Sequence, residues 1–160
     1  MSKKVAISYP EVFEELKKYF IDNDIELVAF DKDNPQYDAD LLVFFDDYNC
    51  VLKGEKFINV HPSILPAYKG KDAIFSAFKD GVKVSGITIH SKNKIIAQYP
   101  VLIGIDTHID DFINEIHSVA SKLLPVVIDS ILNDRVFDFS DLFSNPCHKS
   151  GGCSGCGGCH

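Results

Sequence analysis

The chain has 160 residues, 46% of them hydrophobic and 24% charged, with a formal net charge of −7 at pH 7. This is enough chain for one domain with its own core, and the acidic balance disfavours a nucleic-acid backbone as partner. No apolar run approaches the roughly 20 residues of a membrane span. The opening MSKKVAISYPEVFEEL turns acidic at once and has no secretory core or cleavage site. The expectation is a cytoplasmic protein with neither nucleic acid nor membrane as partner.

Lys4 to Ser8 reads as a short first strand. Pro10 suits the first turn of a helix, and Val12, Phe13, Leu16, Tyr19 and Phe20 follow at helical spacing. Ile25 to Phe30 is a second strand, and DKDNPQYDAD is turn chemistry. LLVFF (Leu41 to Phe45) is a continuous apolar run of the kind buried in parallel sheets, and FINV (Phe57 to Val60) is another. KDAIFSAFKDG reads as a helix ending at Gly81. VKVSGITIH alternates as a strand does, and IIAQYPVLI follows it. From Thr107 to about Arg135 one face carries Ile109, Phe112, Ile113, Ile116, Ala120 and Leu123. Pro125 is expected to kink or divide that helix. Strands alternating with helices imply an α/β domain with a largely parallel sheet.

The candidate site lies in INVHPSILPAYKG. In an open parallel sheet ligands sit beyond the carboxyl ends of the strands, and Asn59 and His61 stand two apart at such an end. Two apart on a strand is one face. An Asn offers an amide donor to an oxyanion, and a His moves protons near neutral pH. The pair suits acyl or formyl transfer to an amine. It would equally suit a strand end whose Asn and His satisfy loop backbone, with Pro62 and Pro66 stopping the strand.

The stretch NVHPSILPAYKGKDAIFSAFKDGVKVSGITIH resembles the core of the 10-formyltetrahydrofolate-dependent formyltransferases, of the glycinamide ribonucleotide and methionyl-tRNA formyltransferase kind. The pattern is Asn-x-His-Pro-Ser-x-Leu-Pro, then Gly, a helix, and Gly-Ile-Thr-Ile-His. Weaker likeness extends over residues 3–136 through ISYPEVFEEL, DADLLVFF and IIAQYPVLIGIDTHIDDF. The resemblance implies a Rossmann-like formyltransferase fold and 10-formyltetrahydrofolate as cosubstrate. It makes Asn59 and His61 the catalytic pair, the Asn for the oxyanion and the His for polarising the formyl group and moving protons. It makes Ser63, Leu65, Pro66 and His90 candidates for contact with the folate, and Asp46 and Asp47 join them by position, since they follow LLVFF at a strand's carboxyl end where a ligand could reach.

The chain departs from that pattern in two places. The family places a third catalytic residue, an Asp, in an acidic Gly-containing loop after the strand that ends at His90. Here the interval is only Ser91-Lys92-Asn93-Lys94. A carboxylate beside His61 would favour its protonated form, and two lysines act the other way. Asp106, Asp46 and Asp47 are the possible substitutes. Asp106, however, precedes Thr107-His108-Ile109-Asp110, which resembles a helix capping box. The turn after the first strand, Ser8-Tyr9-Pro10, also lacks the glycines that let backbone N–H groups approach a phosphate. That argues against glycinamide ribonucleotide as acceptor, and the net charge argues against tRNA.

Residues 1–144 are therefore expected to form the formyltransferase-like domain and residues 145–160 a Gly/Cys/His-rich tail. Four of the five cysteines lie in the tail. Cys147, His148, Cys153, Cys156, Cys159 and His160 offer soft ligands at Cys-x-x-Cys spacing, suited to Zn²⁺, another soft metal or an iron–sulfur cluster. Three functions remain in play. One is formyl transfer to an unidentified small amine. Another is a degenerate folate- or metal-sensing protein that works through the tail. The third has a tail-bound metal folding over the site as the missing electrophile.

Overall fold

A computed structural model describes residues 2–8, 10–31, 38–45, 56–92 and 94–135, with only the backbone of 10, 11 and 13. Its elements in chain order are β1 (Lys3–Ile7), α1 (Pro10–Asp22), β2 (Ile25–Ala29), β3 (Leu41–Phe45), β4 (Phe57–His61), α2 (Ala73–Lys79), β5 (Val84–Ser91), β6 (Lys94–Leu102) and α3 (Ile109–Leu132). The strands form one six-stranded sheet in the order β2-β1-β3-β4-β5-β6. β1 runs parallel to β2 and β3, and β3 parallel to β4. β5 and β6 then turn back antiparallel. The expected mostly parallel α/β sheet is present.

Alternation along the strands gives the sheet two chemically different faces. Val5, Ile7, Leu41, Val43, Ile58, Val60, Ile87 and Ile89 join the α1 and α3 residues Leu16, Phe20, Ile116, Ala120 and Leu124 in the main core. On the opposite face Ala6, Phe30, Leu42, Phe44 and Phe57 form a smaller cluster. There Phe44 meets Phe30 and Phe57 edge to face, at centroid distances of 5.2 and 6.2 Å, the geometry aromatic quadrupoles prefer. Beyond Phe57 that same face turns polar, and the candidate site begins.

Two local expectations are corrected. Pro125 lies inside a single α3 of 24 residues and does not divide it, because burial of that stretch (Leu123, Leu124, Pro125, Val127 and Ile128) outweighs one missing helix hydrogen bond. The capping box at Thr107 does not form. The N-cap is His108, without a side-chain cap bond, and the Thr107 hydroxyl instead accepts from Gly104 N–H at 2.9 Å. Asp110 and Asp111 still place negative charge in the first turn, where the helix dipole favours it.

Candidate functional site

The antiparallel pairing of β4 with β5 sets Asn59 opposite His90 and His61 opposite Thr88. Cross-strand neighbours share a face, so this register alone collects the four side chains. All four are buried. They lie at the carboxyl end of β4, where the parallel part of the sheet stops.

Residues 62–68 cover this face, and the bonds that hold them there begin with Thr88. Its hydroxyl donates to Ser63 O at 2.7 Å and accepts from Leu65 N–H at 3.0 Å. Gln98 on β6 reaches across β5, its amide nitrogen 3.0 Å from Leu65 O and 3.1 Å from Thr88 Oγ1. Ser63 Oγ donates to Ala67 O at 2.6 Å. The Leu65–Pro66 peptide bond is cis. Gly86 makes room for this cover. A Cβ there would lie 2.1 Å from Tyr99 O and 2.7 Å from Ile64 Cδ1, and its φ of +155° suits glycine.

The two histidines are anchored by loop carbonyls through opposite ring nitrogens. His61 Nε2 lies 2.7 Å from Tyr68 O. A carbonyl only accepts, so Nε2 carries the hydrogen and the neutral ring keeps its lone pair on Nδ1. His90 Nδ1 lies 3.1 Å from Lys92 O and must donate there. Neutral His90 therefore accepts at Nε2, where Asn59 Nδ2 stands 3.2 Å away. Burial pushes the His90 pKa down from the usual imidazole value. The Lys92 carbonyl opposes that shift and nearby His61 adds to it. A neutral His90 in turn fixes the Asn59 amide, which turns its nitrogen to His90 and keeps one N–H to offer elsewhere. Asn59 Oδ1 is enclosed, with no hydrogen-bond partner among the described residues. Leaving a buried acceptor unpaired costs about 1–3 kcal/mol.

Around this pair opens a cavity of about 370 Å³. Asn59, His61 and His90 line its polar part, Leu65, Pro66 and Ile95 its apolar part, and Lys69 and Lys92 its cationic part. Among the described residues no Asp or Glu lines it. The reason is local. Ser91 pairs directly with Lys94, so β5 and β6 join through only Lys92 and Asn93, with Lys92 at φ +52°. An acidic loop has no room in so short a turn.

Of the residues singled out by sequence, Asn59, His61, Leu65, Pro66 and His90 meet at this cavity. Ser63 does not line it and instead ties the covering loop together. Asp106 is exposed beyond the end of β6 and does not line it either. Asp46 and Asp47 lie outside the described residues, as do Cys147, His148, Cys153, Cys156, Cys159 and His160. No group of three or more His, Cys, Asp or Glu among the described residues could hold a metal ion. Sequence reading missed the positioning roles of Thr88 and Gln98 and the cavity position of Lys69. The signal for Thr88 was present, since Gly86, Thr88 and His90 alternate on one face of β5.

Residues 51–128 match the family model described as formyl transferase. That segment, just under half of the chain, is what resembles the formyl transferase family. Over 85 residues the chain is 41% identical to phosphoribosylglycinamide formyltransferase of Bacillus subtilis (49% of this chain, 44% of the relative). Over 92 residues it is 30% identical to formyltetrahydrofolate deformylase of Haemophilus influenzae (54% and 33%). Over 82 residues it is 35% identical to methionyl-tRNA formyltransferase of Lysinibacillus sphaericus (48% and 26%). These alignments span less than half the length of each relative. The fold is similar to that of phosphoribosylglycinamide formyltransferase from Streptococcus pneumoniae, with a TM-score of 0.62 at 19% identity over 82% of this chain and 99% of that one. It is also similar to formyltetrahydrofolate deformylase from Pseudomonas syringae, at 0.60 and 19% over 86% and 64%. The segment matched by the family model contains β4, α2, β5, β6 and most of α3, and so all the described residues that line the cavity.

Proposed function

We propose that this protein transfers the formyl group of 10-formyltetrahydrofolate to a small amine. The observation that carries the reading is the Asn59–His61 pair in its fixed hydrogen-bonding state, facing a cavity at the carboxyl end of β4. In this mechanism the acceptor nitrogen attacks the formyl carbon. Asn59 donates its second amide N–H to the oxygen as it becomes an oxyanion, which typically contributes about 10²–10³-fold in rate. His61 Nδ1 takes the proton the amine loses. The C–N10 bond then breaks, a proton goes to N10, and tetrahydrofolate leaves beside the formylated amine. Atoms and charge balance without another reactant.

Among the described residues the cavity shows no carboxylate to assist His61, so within that lining its proton transfers rest on the imidazole. Such assistance is worth about 10²–10⁴-fold, and slow turnover is expected. Asp46 follows Phe45, the β3 residue paired with Val60, and with Asp47 is the candidate to supply a carboxylate. The test is single-turnover loss of 10-formyltetrahydrofolate with a panel of amines, alongside Asn59→Ala and His61→Ala. Formyl-amine that appears only with the unaltered chain supports the reading. Cosubstrate binding with no product from any amine refutes it and favours a binding protein, the reading supported by the lack of a carboxylate among the described lining residues.

For the tail we infer a soft-metal site at Cys147, His148, Cys153, Cys156, Cys159 and His160, on ligand type and spacing. Metal content of the full chain should drop on Cys153→Ser with Cys156→Ser. Equal content would refute it.

A further inference from the structure

Gln98 is exposed on β6, two strands away from His61, and does not line the cavity. Its amide nevertheless has a single possible orientation. The atom 3.0 Å from Leu65 O must be the nitrogen, because a carbonyl only accepts. The second hydrogen of that nitrogen goes to Thr88 Oγ1 at 3.1 Å. The Thr88 hydroxyl is then used to capacity. Its one hydrogen goes to Ser63 O at 2.7 Å, and its two lone pairs take Leu65 N–H and Gln98. Two side chains thus fix three backbone groups of the covering loop.

What the loop delivers to the site is one carbonyl. Ser63 Oγ closes the turn on Ala67 O, and the next carbonyl, Tyr68 O, takes the hydrogen of His61 Nε2 at 2.7 Å. Tyr68 holds φ +51°, a left-handed backbone that a residue with a side chain keeps only where its surroundings hold it. One hold is its hydroxyl, which donates to Asp80 at the end of α2, at 3.0 Å. The other is the loop behind it, tied down by Thr88 and Gln98. His90 is anchored elsewhere, by Lys92 O in the β5–β6 turn.

We propose that Gln98 is a positioning residue for the chemistry. Acting through Thr88 and the loop, it holds Tyr68 O against His61 Nε2 and so keeps the His61 lone pair on Nδ1, ready for the proton the amine loses. The assignment rests on the formyl-transfer reading for that proton, and on the hydrogen bonds alone for the placement of the ring. An exposed side chain outside the cavity thereby governs the state of a buried one inside it.

Gln98→Glu and Gln98→Met keep the length of the side chain, and neither can donate to Leu65 O near pH 7.5. Exchange of the His61 Nε2 hydrogen with water is measured by ¹H–¹⁵N NMR in the full-length protein, with the His90 Nδ1 hydrogen as internal reference. Single-turnover formyl transfer is measured alongside. In both variants the His61 hydrogen should exchange about tenfold faster or more, as its bond to Tyr68 O opens more often. The His90 hydrogen should stay within about twofold, and transfer should slow about tenfold. Unchanged exchange at His61 overturns the proposal, as does a His61 hydrogen that already exchanges like free imidazole in the unaltered chain. Equal acceleration at both rings overturns it too, since Gln98 would then only stabilise the fold. So does faster exchange at His61 with an unaltered transfer rate. Faster exchange confined to His61, with no formyl product even from the unaltered chain, supports the placement of the ring and refutes only the transfer reading.

Discussion

The two faces of strands β4 and β5 are made from the same ten or so residues, taken alternately, and they do opposite things. Ile58, Val60, Ile87 and Ile89 point into the core under α3, each at most 1% exposed. Asn59, His61, Thr88 and His90 point the other way and are nearly as buried, at 7% or less. Burial alone therefore does not distinguish structure from site. The apolar face is held by contact area, which tolerates small changes of shape at modest cost. The polar face is held by specific bonds to a covering loop, and one of its acceptors, Asn59 Oδ1, has no described partner. Ser85 Oγ, on the face of β5 shared with Ile87 and Ile89, is also buried without a described partner, so it is the network of bonds to the loop, and not one unpaired atom, that sets the polar face apart.

The largest expected effect is on chemistry. His61→Ala should lower formyl transfer by about 10²–10⁴-fold, while the Tyr68 carbonyl left without its donor costs about 1–3 kcal/mol of stability. Activity that survives in the folded variant would make His61 a structural residue and erase the contrast between the faces. Next is Gly86→Ala. Its Cβ would collide with the Tyr99 backbone and with Ile64, so about 3 kcal/mol of stability should be lost in urea denaturation. An unchanged midpoint would mean that the loop is not seated as described.

Thr88→Val keeps the shape but removes the hydroxyl that bonds Ser63 O and Leu65 N. About 2 kcal/mol should be lost, with activity falling further as the loop loosens. On the opposite face Ile89→Val should cost about 1 kcal/mol and leave activity untouched. If the two substitutions behave alike, the faces are not specialised.

The smallest effect is electrostatic. His90 has a pKa below its unfolded value near 6.5, first because it is buried. The unfolded chain then binds the proton first, so this contribution is complete above about pH 6.5 and is lost as pH falls through the folded value. The loss of stability between about pH 8 and pH 5.5 should be smaller in His90→Gln. An identical pH dependence would contradict a buried neutral His90.

Much of this was legible from sequence because local pattern and tertiary outcome agree. LLVFF at Leu41–Phe45 became β3 without adjustment, since a fully apolar run has few other places to go. Asn59 and His61 could be paired from their spacing alone. His90 could be named, but its bond to Asn59 depends on the antiparallel register, which no local signal fixes. Thr88 and Gln98 were missed because their role is to bond a loop more than twenty residues away in the chain. Of the kink or division expected at Pro125, the division does not occur, because the burial that holds α3 together was not visible in the local pattern.

The central claim is that two loop carbonyls set His61 and His90 in opposite tautomers, and that neutral His90 thereby orients the Asn59 amide for the proposed transfer. The direct measurement is long-range ¹H–¹⁵N NMR of the imidazole nitrogens near pH 8. The prediction is hydrogen on Nε2 of His61 and on Nδ1 of His90, with the His90 signals changed in Asn59→Ala. The same tautomer at both rings, or a His90 indifferent to Asn59, would contradict it.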